Sequence, residues 1–374
     1  MVGIFPPVPQ FPDKSEATAA LGELETLIST FPFADELDRS VALSAILTTL
    51  DRRVMHAAPM HAFTSPTAGT GKSLLVDLAS ILATGRPMPV ISQGRTEEEL
   101  EKRLGAALLA GDAAISIDNC EHPLQSVFLC QVLTQSQVKI RLLGYSKNVE
   151  TLTNTSIFCT GNNLTICGDL ARRSLLCSLD AKCEHPERRS FETNVIDTAY
   201  RKRGPLVVAA LTALRAWHVA NQSSKLELMK PASEPNKSPE KLQPLGSFED
   251  WSYRIRAPLI WLGHPDPCDT IANIKDNDPQ RNALETVLTQ WEQHFGGASK
   301  TVQEVITAAD PFGPAIDLHH ALLAVAVGHR GNNISNDRLG RWLKQVEGRI
   351  VAGRALRSAG RTQGYWKWRL AKEG

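Results

Sequence analysis

"SPTAGTGKSLLVDLAS", residues 65–80, decides the fold. A glycine-rich turn opens onto an apolar helical run, and Gly71, Lys72 and Ser73 match the end of the phosphate-binding pattern G-x-x-x-x-G-K-[ST]. Pro66 stands where that pattern has its first glycine. The first position supplies a turn, and proline presets φ for a turn wherever its missing N–H is not needed as a donor. Gly69 and Gly71 remain where the backbone must approach phosphate closely. Thr67, Ala68 and Thr70 complete the loop, Lys72 supplies a point charge, and Ser73 offers a hydroxyl to magnesium. "MHAFT" (60–64) leads in as a strand and "LLVDLASIL" (74–82) leads out as a helix. Residues 66–73 therefore predict an ATP site.

Downstream, "AAISIDN" (113–119) is an apolar strand ending in Asp118, a carboxylate placed to hold magnesium beside the loop. Many ATPases have a glutamate next; here it is Asn119, which positions water but cannot accept its proton. Glu121 is near enough to be recruited, so the identity of the base stays open between the positions of Asn119 and Glu121. "SIFCTGNN" (156–163) is a further strand that brings Asn162 or Asn163 to the sheet edge to orient water. "GDLARR" (168–173) then offers Arg172 and Arg173, either of which can stabilise transition-state charge at a neighbour's site.

Strands at 60–64, 88–92, 113–117, 156–160 and 174–179 alternate with helices at 73–84, 96–110 and 123–135, which predicts an α/β unit with a largely parallel sheet. Helices at 15–29 and 34–57 precede it. Others follow at 192–200, 205–220, 248–262 and 279–295, and a polar, proline-rich excursion is expected at 221–247. Between 138 and 152, "VKIRLLGYSKNVETL" alternates as a hairpin, with Lys139 and Arg141 on one strand and Lys147 at the turn.

Charge is balanced overall, at +1, but unevenly placed. Residues 338–372 hold ten Lys/Arg and one acid, Glu347, an asymmetry that points to a polyanion. Seven cysteines at irregular spacing argue against a disulfide framework and for a reducing cytoplasm. Cys177, Cys183 and His185 lie close together but lack the second pair that a zinc site needs. No apolar stretch is long enough to span a bilayer, so no membrane partner is expected.

The last block, 299–374, reads as three helices followed by a basic hairpin. Ser335 caps a helix whose Leu339, Trp342, Leu343 and Val346 share a face. In "YWKWRL" (365–370), Trp366, Trp368 and Leu370 share one face, and Tyr365, Lys367 and Arg369 share the other; Trp366 and Trp368 are read as core in preference to the alternative, base-stacking residues. This is the pattern of a winged helix, which docks either DNA, with Arg341, Lys367 and Arg369 as its contacts, or protein.

In combination, "PTAGTGKS", "SIDN", the hairpin, "TGNN" and "GDLARR" resemble the AAA+ helicase modules of phage and mobile-element replication proteins, relatives of superfamily 3 and minichromosome-maintenance helicases. The resemblance covers roughly 34–262. It implies an ATP- and magnesium-driven homohexamer on single-stranded or forked DNA, with Lys147 in the central channel and an arginine acting across the subunit interface. A primase or polymerase would sit on a separate chain. It also implies a helical lid at "GSFEDWSYRIRAPLIWLG" (246–263), from which Arg254 or Arg256 would face the γ-phosphate. The expected division is 1–58, an N-terminal extension; 59–298, the AAA+ core and lid; and 299–374, the winged helix. The competing functions are an AAA+ initiator or loader, which shares every ATP-site residue, and a small-molecule phosphotransferase, which has no use for the hairpin.

Overall fold

The computed structural model describes residues 5–142, 144, 147–227, 243–328, 331 and 333–373. The chain forms two compact units, 1–274 and 275–374.

The first unit begins with α1 (Lys14–Ile28) and α2 (Glu36–Asp51). Asp13 and Glu16 form a reciprocal capping box that starts α1. There follow β1 (Met60–Ser65), α3 (Lys72–Thr84), β2 (Val90–Ser92), α4 (Glu97–Ala110), β3 (Ala114–Asp118), α5 (Val127–Thr134), β4 (Gln137–Arg141), β5 (Asn148–Leu152), β6 (Ser156–Asn162) and β7 (Ser174–Ser178). Five strands make one parallel sheet in the order β2-β3-β6-β1-β7. β1, β3 and β6 are buried almost throughout, which is why they show no strict alternation of apolar and polar residues. From β1 the chain crosses to the far edge, returns, and inserts β6 between β3 and β1. The tips of β1, β6 and β3 therefore lie side by side at the carboxyl edge, beside a topological switch point, where α/β sheets bind ligands.

Further helices follow the sheet strands: α6 (Val195–Arg201), α7 (Arg203–Glu227), α8 (Glu249–Trp251), a π-helical turn (Ser252–Arg256), α9 (Ala257–Trp261) and α10 (Thr270–Asp276). α1 packs along α7, and α2 packs on α3 and β7. The Trp251 indole donates to Thr48 on α2 at 2.8 Å. α1, α2 and the segment up to Ala58 thus contribute to the same core as the sheet, from Leu21 onward. The helix expected over 34–57 stops at Asp51. There Arg52 turns inward and its guanidinium donates to the carbonyls of Met55, Thr153 and Thr155. Of the proline-rich excursion, 221–227 complete α7, and 228–242 lie outside the described residues.

The second unit holds α11 (Pro279–Phe295), β8 (Lys300–Thr301), α12 (Val302–Ala308), α13 (Ile316–Ala326), α14 (Asn336–Val346), β9 (Arg354–Thr362) and β10 (Tyr365–Lys372). Its antiparallel sheet has the order β8-β10-β9. Leu284, Val287, Leu288 and Trp291 of α11 are buried in this unit's core, so the helix that the sequence placed before the boundary belongs after it. Ser335 accepts from the Arg338 N–H and caps α14 as expected. Among the described residues no helix is long and apolar enough to cross a membrane.

Candidate active site

The loop from Pro66 to Gly71 joins the buried tip of β1 to α3. Gly69 (φ +79°) and Gly71 (φ +99°) adopt the left-handed backbone that glycine tolerates. A Cβ on Gly69 would lie 3.0 Å from Glu187, and one on Gly71 would lie 3.0 Å from the Phe31 ring. Their N–H groups donate to no other described residue, which leaves a backbone cradle at a helix N-terminus for an anion. Ser73 follows in the exposed first turn of α3.

Lys72 folds back over the strand tips. Its ammonium donates to Ser65 Oγ, to Asn162 Oδ1 at 2.8 Å and to Thr70 Oγ1 at 3.4 Å. Burial pushes this ammonium down from its ordinary pKa, and the Asp118 carboxylate pulls it part of the way back. The Asp118 Oδ1 accepts from Thr160 Oγ1 at 2.6 Å, and its Oδ2 has no partner among the described residues. A fixed carboxylate with one open oxygen and the hydroxyl of Ser73 in the exposed first turn of α3 are the oxygen donors that suit magnesium.

Asn119 sits at φ +51°, its N–H bound to Thr160, and its side-chain amide donates to Glu121 Oε1 at 3.0 Å. The two candidates for the base are therefore joined, with the carboxylate as the acceptor. Asn162, not Asn163, meets Lys72. Asn163 instead turns the chain, at φ +47°, with its N–H on the Ser65 carbonyl.

Arg172 and Arg173 share one anchor. The Arg172 Nε donates to Asp169 Oδ1, and Arg173 donates to Asp169 Oδ2 at 3.0 and 2.7 Å. Burial raises the Asp169 carboxyl, but the two guanidinium groups together bring it below its ordinary pKa. Their exposure separates them: the Arg173 side chain is 11% exposed and that of Arg172 is 47%. Arg254 pairs with Asp51 at 2.6 Å, and Arg256 pairs with Asp266. Both lid guanidiniums are thus committed within the helical scaffold.

β4 and β5 pair as a separate two-stranded ribbon. Val138 and Ile140 are buried, Ile140 against Gly105 of α4. Lys139 pairs with Glu150 at 3.6 Å across the strands, while Arg141 and Lys147 are exposed with no ion-pair partner among the described residues. Tyr145 and Ser146 of the turn lie outside the described residues.

Sequence reasoning missed what flanks the loop. A cavity of about 520 Å³ adjoins Gly69, Thr70 and Gly71, with walls from Phe31, Pro32, Leu74, Val195 and Ile196. Arg189 closes one side; its guanidinium lies 5.0 Å from the Phe191 ring centre and donates to the Thr30 carbonyl at 3.0 Å. The available signal was "STFPF" (29–33), an aromatic run between helices with no periodicity of its own.

No protein-family model matches the chain, and no curated relative aligns with it. Among solved structures, the A-form apo structure of the NrS-1 C-terminal region is 11% identical, with a TM-score of 0.44 over 100% of this chain and 79% of that one. Another apo structure of that region is 11% identical, with a TM-score of 0.43 over 98% and 77%. The JCV helicase is 13% identical, with a TM-score of 0.29 over 58% and 69%.

Proposed function

We propose that the chain is an ATPase of the AAA+ helicase type that drives DNA unwinding in the replication of a phage or mobile element. The observation that carries this reading is the convergence of Lys72, from the start of α3, with Asn162 and Asp118, from the tips of the adjacent strands β6 and β3, beside a glycine cradle. The residue 66–73 loop and the Lys72 ammonium bind the phosphates, and the adjoining apolar cavity receives the nucleoside. Ser73 and Asp118 would hold magnesium, which when bound neutralises phosphate charge. Asn162 orients the attacking water. Glu121 accepts its proton, with the Asn119 amide holding the carboxylate in place. Arg172, the more exposed of the pair, stabilises the transition state in a neighbouring copy of a homohexameric ring.

In the second unit, α12–α14 and the β9–β10 hairpin serve as a winged helix whose Arg341, Lys367 and Arg369 meet DNA. Lys139, Arg141 and Lys147 carry the strand through the ring. The test is ATP turnover with and without single-stranded DNA, run alongside native mass, on the wild-type chain and on Lys72→Ala. The variant is expected to lose about 10²–10³-fold in turnover, the scale on which removal of a preorganised charge stabiliser is felt. An unchanged rate overturns the assignment. DNA-stimulated turnover without sustained unwinding of a forked duplex makes the chain an initiator or loader instead.

A further inference from the structure

A groove of about 590 Å³ runs through the second unit between α14, the start of α12 and the β9–β10 hairpin. Strict alternation along β10 would bury Trp366 together with Trp368. The ladder instead shifts register between these two residues. Trp368 stays in the core at 3% exposure, while Trp366 is 43% exposed and its neighbour Tyr365 is 71% exposed. Arg361 lies 4.2 Å from the centre of the Trp366 ring, so this indole is already held by a cation instead of by apolar packing. Trp368 also borders the groove, and its buried indole N–H has no hydrogen-bond partner among the described residues.

Facing the hairpin, Arg341 and Lys344 rise from consecutive turns of α14 and line the same groove. Neither forms an ion pair with any described residue. Asp337 and Glu347 border it too, but the Glu347 carboxylate is occupied by the Ser358 N–H at 3.0 Å. Gln303 and Asn336 add side-chain amides, bonded to each other at 3.0 Å. Aromatic surface, amide hydrogen-bonding groups and two unpaired cations in one recess match the three parts of a nucleotide: a π face, polar base edges and phosphate. A duplex offers only its phosphates here, because its bases are already stacked and paired.

We infer that this groove holds one unpaired base of a single-stranded nucleic acid, stacked near Trp366, with the adjoining phosphates on Arg341 and Lys344. The inference rests on the nucleic-acid reading of the chain and adds the class of strand that the second unit prefers. Stacking makes the contact tolerant of sequence, and phosphate contacts make it sensitive to salt.

The experiment uses the full chain without nucleotide, so that the answer does not depend on hydrolysis. Binding of a labelled oligothymidylate, the same oligonucleotide carrying abasic sites, and a blunt duplex is measured for the wild type, Trp366→Ala, Trp366→Phe and Arg341→Ala/Lys344→Ala. Trp366→Ala is expected to weaken single-strand binding about tenfold, to change duplex binding less than about twofold, and to lose its effect on the abasic strand. Trp366→Phe restores most of the affinity. The double variant lowers the slope of log affinity against log salt by about 1.4, the share of two single-strand phosphate contacts. Equal weakening on single strand and duplex, or no change with Trp366→Ala while the wild type binds, overturns the groove proposal alone. A wild-type chain that binds none of the three probes overturns the nucleic-acid reading with it.

Discussion

The cations of the two units are held in opposite ways. In the first unit nearly every one with a role is already engaged. Lys72 sits on Ser65 and Asn162, Arg172 and Arg173 sit on Asp169, Arg254 on Asp51, Arg256 on Asp266, and Arg52 on three carbonyls. In the second unit Lys344, Lys367 and Arg369 have no side-chain partner among the described residues and Arg341 has only the Asp337 carbonyl at 3.3 Å, although Arg354 and Lys372 both pair with Glu292 and Arg357 pairs with Glu373. Engagement fixes a charge where a small, highly charged group must be met with little reorganisation, which is the condition for electrostatic catalysis. Bare, hydrated charges suit a polymer whose counterions are released on contact. The contrast predicts steep, all-or-none losses in the first unit and shallow, additive, salt-dependent losses in the second.

The largest effect tests the engaged arginines. Arg172→Ala is expected to lower turnover of the assembled protein by about 10³-fold or more, the scale of an arginine supplied across an interface. Titrating it into wild type should depress activity more steeply than dilution does. Arg173, mostly buried and bound to Asp169 by two of its nitrogens, should show its loss first in stability, by about 1–2 kcal/mol after allowance for the half-exposed carboxylate. A linear mixing curve for Arg172→Ala, with mixed oligomers confirmed by mass, removes the trans role.

The boundary between the regimes can be broken by truncation. A chain ending at Asp276 keeps the first unit's core whole and should unfold cooperatively. A chain ending at Ala298 keeps α11 but removes what covers Leu284, Val287, Leu288 and Trp291, and should aggregate. Soluble, cooperative unfolding of the longer fragment would place α11 with the first unit.

How much of this was legible in the sequence follows from how local each feature is. The buried parallel strands announce themselves as apolar runs, and the loop does so through glycines at positions where a side chain would collide. Ser335 was legible because a cap is decided within four residues. β8 was not, because two residues pair only after β10 has arrived. The exposure of Trp366 depends on a register shift that alternation cannot show. The cavity walls at Phe31, Pro32 and Arg189 come from loops, and those at Val195 and Ile196 from the start of α6; their common property is where the fold puts them. The Asp169 anchor lay in plain view in "GDLARR", but nothing in spacing says that one carboxylate serves both arginines.

The smallest effect sharpens the comparison at an exception, since Lys147, like Arg141 on the same ribbon, is exposed with no ion-pair partner among the described residues of the unit where most cations with a role are engaged. Lys139, on the same ribbon, already has Glu150 at 3.6 Å; Lys147 is exposed, and only its backbone is tied, through the Leu142 N–H on its carbonyl at 3.0 Å. A bare lysine on a ribbon is a phosphate contact of the second unit's kind, worth about 1 kcal/mol or less at an exposed site. One such contact is a weak grip, but copies around a ring that engage in turn would couple each hydrolysis to a step. Lys147→Ala should therefore reduce the stimulation of turnover by single-stranded DNA about two- to fivefold and reduce unwinding of a forked duplex further. Lys139→Ala should do less, because its charge is already neutralised by Glu150. The order of the two variants is the decisive reading, measured as unwinding at saturating ATP. If Lys139→Ala costs more than Lys147→Ala, the ribbon acts through its paired face, and bare charge in this unit does not mark the path of the strand.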